Sequence, residues 1–228
     1  MPWTDAQKAR IAAKLNAHDF YFLPAEVPPT VNVPEAWRHF GPMDADRTCI
    51  PLAWRHFTQR LPWVGEWVHD CVLGTLLAVG DRPYLVYVYD SNDDLYLYLG
   101  GAPLGPDSQA FEKHPEIPGH VIEFYTRLHD GFGFYIGGDM GPSPVEAFVS
   151  IKDLCDDDYP GLPDMTAIFS SGAGDYLAVG QGAWKGEAFI WWHEEPDTPT
   201  CDIDLWVYMD AWMSIFLEDS TLNAFAQR

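Results

Sequence analysis

PYLVYVYDSNDDLYLYLGG, residues 83–101, decides the fold class. Its two arms, 83–89 and 95–101, alternate at period two and are rich in the aromatic and β-branched residues that suit a pleated surface. Between them, Ser91-Asn92-Asp93-Asp94 is turn chemistry. The stretch reads as a β-hairpin, and a hairpin joins its strands antiparallel.

Downstream, GAPLGPDSQAFEKHPEIPG (101–119) is rich in Gly and Pro and reads as a linker or long loop. It is the expected boundary between an N-terminal α+β region, 1–110, and a second unit, 111–228. In that second unit, Pro118–His129 places Val121, Ile122, Phe124, Tyr125 and Leu128 at helical spacing, and Gly131 stops the helix. GFYIGG (133–138), TAIFSS (166–171), YLAVG (176–180) and KGEAFIWWHEE (185–195) read as strands, and Pro144–Leu154 as a helix or strand–helix junction. Trp206–Asp219 closes the chain as an amphipathic helix, with Trp206, Met209, Met213, Phe216 and Leu217 on one side. Strands grouped together with helices before and after predict α+β, an antiparallel sheet flanked by helices, with an additional N-terminal α+β part.

Upstream of the hairpin, Asp5–Ala17 reads as a helix with Thr4 as N-cap. Pro24, Pro28, Pro29 and Pro34 then interrupt regular structure. The pentapeptide AWRHF occurs twice, at 36–40 and 53–57. One reading is two short helical turns that bury Trp and Phe. The other is a binding surface built from Arg38/His39 and Arg55/His56.

Composition sets the outer bounds. With 228 residues, 47% hydrophobic and 15% aromatic, the chain is a folded globular protein and not an acidic disordered tail. No basic stretch followed by an apolar run opens it, and no segment nears 18 uninterrupted apolar residues. Neither a signal peptide nor a spanning helix is therefore expected. Cys49, Cys71, Cys155 and Cys201 are widely spaced with no CxxC pair. Free thiols in a reducing cytoplasm are expected.

The formal net charge of -21 is unevenly spread. Residues 1–114 carry 9 Lys/Arg against 14 Asp/Glu, and residues 115–228 carry 4 against 20, or -5 and -16. Such a surface repels nucleic acid and anionic membranes and attracts a basic partner at long range.

Catalytic sets are weak by comparison. HEExxD at 193–198 is not HExxH and falls at a strand end, so zinc-protease geometry fails. His69-Asp70-Cys71 are chain neighbours, and neighbours rarely face one another as a nucleophile and its base do. SSGAG (170–174) lacks the order of a nucleophile turn. The glycine pairs at 100–101 and 137–138 lack a phosphate-loop context. DLCDDDYPGLPD (153–164) lacks EF-hand spacing. No enzyme activity, metal or cofactor is expected.

Four segments carry a family resemblance across roughly residues 111–220: FYTRLHDGFGF (124–134), GAGDYLAVG (172–180), AFIWWHE (188–194) and WVYMDAWMSIFLED (206–219). Their order of helix, glycine turn, Gly-Asp-Tyr strand, Trp-His-Glu strand and final helix resembles the SUKH superfamily. The first 110 residues depart from that family's compact pattern. The resemblance implies a SUKH-like domain over 111–228. It also implies a bacterial immunity protein, which binds and neutralises a cognate toxin, often a nuclease, in competition between cells. The charge agrees with that expectation, because a nuclease offers a basic groove to an acidic inhibitor. The expected partner-binding residues are Asp153, Asp156, Asp157 and Asp158, with Trp192, Glu194, Glu195 and Asp197. Trp191 and Trp192 point to opposite faces of one strand, so one is core and the other is either an exposed anchor or covered by a helix. Gly174 and Asp175 read as turn residues. Two rival expectations stand beside this one: an interaction scaffold of the same fold with a cellular partner, and a metal-dependent hydrolase using His193 and Glu194.

Overall fold

The computed structural model describes residues 2–15, 19–134 and 140–226. Helix α1 (Asp5–Lys14) starts at Thr4, whose hydroxyl accepts from the Gln7 amide while the Gln7 side chain reaches back to the Thr4 amide, a reciprocal capping box. Strand β1 (Asp19–Tyr21), helix α2 (Pro62–Asp70) and strands β2 (Gly74–Val79), β3 (Pro83–Ser91) and β4 (Asp94–Gly101) follow. Helix α3 (Gly119–Arg127) leads to β5 (Phe132–Phe134), β6 (Met140–Pro142), β7 (Val149–Ser150), α4 (Ile151–Leu154), β8 (Met165–Ser171), β9 (Tyr176–Gly180), β10 (Ala188–Trp191) and α5 (Leu205–Ser214). The ten strands form one antiparallel sheet in the order β1-β2-β3-β4-β5-β6-β8-β9-β10, with β7 paired to β8. The protein is α+β with a large antiparallel sheet.

The hairpin forms as expected. Ser91 pairs with Asp94, and Asn92 and Asp93 take φ of 48° and 64°, the left-handed pair that lets a two-residue loop follow the strand twist. Its alternation sorts side chains between two cores. Leu85, Tyr87 and Tyr89 face the main core under α2, α3 and α5, while Val86 and Val88 face a smaller core closed by Ile11 and Leu15 from the N-terminal helical segment. A third core, around Ile151, Phe189 and Trp191, lies under α4.

Several boundaries differ from expectation. β10 ends at Trp191, so residues 193–195 lie in a turn and not in the strand. Helix α5 stops at Ser214, and Phe216 is part-exposed against Phe134 instead of buried with Met209, Met213 and Leu217. Residues 16–17 of the first expected helix and 135–138 of the expected strand after α3 lie outside the described residues. On either side of residue 110, β4 and β5 pair directly, Leu99 opposite Gly133, and the main core takes side chains from Trp37 to Leu217.

That junction is held by a buried polar chain. The Trp54 indole donates to the Tyr87 hydroxyl at 2.8 Å, Tyr87 donates to His129 Nε2 at 2.8 Å, and His129 Nδ1 donates to the Gly101 carbonyl at 3.1 Å. Only a neutral imidazole can accept on one nitrogen and donate from the other. Burial, with no opposing charge, holds the His129 pKa down at about 3. The glycine pair 100–101 makes room for it. A Cβ on Gly100 would strike the His129 ring, and one on Gly101 would strike the Asp130 carbonyl.

An unfolded chain protonates this histidine near pH 6.5, whereas the folded chain resists until about pH 3. Between those values the unfolded state binds more protons. Stability is therefore full above the upper value and is lost as pH falls, by up to about 1.4 kcal/mol per pH unit from this one group. Unfolding free energies from urea titrations, followed downward from neutral pH, should fall in the wild-type chain relative to His129→Gln with that slope; parallel curves would show that His129 titrates alike in the folded and unfolded chain.

Candidate functional site

The expected interface residues come from two loops at the β10 end of the sheet. Asp153 sits on α4, and Asp156, Asp157 and Asp158 follow it; all four are exposed. Glu194, Glu195 and Asp197 are exposed on the turn after β10. Tyr159 brings the two loops together. It packs on the small core that holds Trp191, and its phenol pKa is pushed up by desolvation and then by the negative charge of Asp157, Cys155, Asp197 and Asp156. Asp156 and Asp157 from one loop and Asp197 from the other thus act on the same ring. Asp158 turns toward Lys152, whose ammonium is paired with Asp164 at 2.6 Å.

Trp192 does not join this group. Alternation puts Trp191 in the small core, its indole donating to the Pro196 carbonyl, and sends Trp192 to the opposite face. There it is half-buried against Trp212 of α5 and donates to Thr200 Oγ1 at 3.0 Å. Of the two states open to it, covered or exposed, it is the part-covered one. Trp184, between β9 and β10, is 41% exposed and leans on Phe189 of the small core. Tyr159 was legible as the aromatic inside DDDYPG; nothing in the sequence set Trp184 against Phe189.

The turn carrying the glutamates is anchored from β9. Asp175 Oδ1 accepts from the His193 amide at 3.1 Å and from its ring Nδ1 at 2.8 Å. Gly174, with φ of +101°, lies where a Cβ would come within 3.0 Å of that ring. Gly174 and Asp175 are turn residues that clamp His193. Asp175 engages Nδ1 of this imidazole and leaves Nε2 outside that bond; among the described residues no three His, Cys, Asp or Glu side chains gather as metal ligands.

A cavity of about 880 Å³ opens on the back of the sheet between the two smaller cores. Tyr84 and Leu99 line one side, Val149 and Tyr176 the other, and glycines 133, 141, 172 and 174 lie between them. At its rim Asp130 accepts from Arg82 at 2.8 Å and from the Val145 amide at 2.9 Å. Desolvation nevertheless leaves its pKa raised. Both oxygens serve the fold, so this carboxylate is structural.

No helix among the described residues is long and apolar enough to cross a membrane. No family model, no curated protein and no solved structure matches the chain.

Asp175→Ala should free the 193–198 turn, at a cost of about 1–2 kcal/mol for a lost charged acceptor. Amide hydrogen exchange should quicken at His193–Asp197 and stay unchanged in the β3–β4 hairpin; unchanged exchange in the turn would show that Asp175 does not hold it.

Proposed function

We propose that this chain is a SUKH-like immunity protein, acting in the cytoplasm by stoichiometric binding to a basic bacterial toxin, with a nuclease as the first choice. The observation that carries the reading is the pair of exposed acidic loops, 153–158 and 193–197, that border one small core holding Tyr159 and Trp191. Exposed like charges held together by the fold cost stability through mutual repulsion. A cationic partner recovers that cost on binding. Carboxylates at the rim of an interface steer and select more than they hold, so affinity has to come from a desolvated aromatic. Tyr159, next to Asp158 in the chain and packed on the small core, supplies aromatic area of that kind. Inhibition then needs no chemistry by this protein, only competition for the toxin's phosphate-binding groove.

Co-purification from the native host at low salt, read by mass spectrometry, should return a basic protein in stoichiometric amount whose nuclease activity is silenced in the complex. Recovery with an unrelated host protein would favour an interaction scaffold instead. With the toxin in hand, the association rate constant should fall about tenfold or more as salt rises through the physiological range. The Asp156→Asn/Asp157→Asn/Asp197→Asn variant should associate slowly at low salt and lose most of that salt dependence. A rate indifferent to salt and to the triple variant would remove the acidic loops from the interface.

A further inference from the structure

The two AWRHF copies fold alike and meet. Each forms a 3-10 turn, at Glu35–Trp37 and Leu52–His56, that buries its Trp and leaves its Arg and His exposed. Trp37 and Trp54 both pack on the ring of His129, with centroids 5.8 Å and 6.2 Å away. With both tryptophans docked on one buried ring, the copies become neighbours. His39 from the first and Arg55 from the second line a single cavity of about 500 Å³, closed on another side by Arg47 and by His69 at the end of α2. Among the lining residues, Asp46 is the one carboxylate. This is a cationic pocket in a chain whose net charge is -21.

Its guanidinium groups are differently prepared. Arg47, a non-glycine residue with φ of +54°, donates from Nε to the His69 carbonyl and from Nη2 to the Phe225 carbonyl. Asp70 lies 3.9 Å from Nη2. Nη1 has no partner among the described residues, so that edge is held rigid and unfilled. Arg55 is exposed and makes no ion pair among the described residues. Arg38, by contrast, pairs with Glu35 at 3.7 Å and is not part of the pocket lining. Ile50, Leu52 and Trp54 supply the apolar wall. One fixed and one free guanidinium beside an apolar wall suit a ligand with a carboxylate or phosphate at one end and a flat apolar body.

We propose that the pocket between the two AWRHF turns and α2 binds a small organic anion, its charged head gripped by Arg55, Arg47 and His39 and its apolar body laid on Leu52, Ile50 and Trp54. The long-range field of the chain opposes any anion, so binding depends on these contacts and not on steering. The site is separate from the acidic loops and does not rest on the toxin-binding reading.

The test is calorimetric titration of the full chain with phenyl phosphate, benzoate and phenol as probes. At least one anion should bind at one site per chain, and phenol far more weakly. A preference for phenyl phosphate over benzoate assigns the head as phosphate, and the reverse assigns it as carboxylate. Arg55→Ala should weaken the anion about tenfold, the loss expected for one charge-assisted contact, while Arg38→Ala should leave it unchanged. Circular dichroism on both exposed-site variants confirms that they fold. The proposal is overturned if neither anion saturates, if phenol binds as well as they do, or if the two arginine variants lose binding equally.

Discussion

The structure hinges on one neutral histidine buried where three segments meet. His129 follows helix α3, accepts from Tyr87 of the hairpin and donates to Gly101 at the end of β4. Tyr87 in turn receives the Trp54 indole from the second AWRHF turn. Every polar atom in that chain has a partner, which is the condition for burying polar groups without a desolvation penalty. Phe132 stacks flat on the imidazole at 5.2 Å, carrying the arrangement into β5. The N-terminal strands and the second half of the sheet therefore share one packed centre.

Charge is distributed on a different principle. The carboxylates that serve the fold are few and engaged. Asp130 caps a turn and pairs with Arg82. Asp210 of α5 accepts from the amides of Trp63 and Val64, satisfying the start of α2. The carboxylates of the 153–158 and 193–197 loops have no comparable duty in the core and stand in solvent. Basic side chains concentrate in the first half, and Arg47 and Arg55 line one cavity beside the second AWRHF turn. The molecule thus separates an acidic end from a small cationic pocket, although its total charge is strongly negative.

Local pattern accounts for much of this. The hairpin, the Thr4 cap, β8, β9 and the apolar stripe of α5 were legible because each depends on neighbours two to four residues apart. The acidic loops were legible as composition, and their exposure followed from the cost of burying charge. Three things were not. The bond from Asp175 to His193 spans 18 residues and turns an apparent metal motif into a clamp. Trp184 leans on Phe189 only because β9 and β10 pair. The glycine pair 100–101 had no motif context in the sequence, and its reason lies in the ring of His129.

Sequence alone determined the class, an antiparallel α+β protein with an acidic second half, because alternation, turn chemistry and charge are properties of adjacent residues. Tertiary structure decided which distant residues share a place. It brought the 153–158 and 193–197 loops to the small core that holds Tyr159 and Trp191. It turned Trp191 inward to the small core and Trp192 toward α5. It brought two copies of one pentapeptide onto a single histidine. Those outcomes depend on strand register and on the close packing of side chains far apart in the chain, and neither is encoded in a local period.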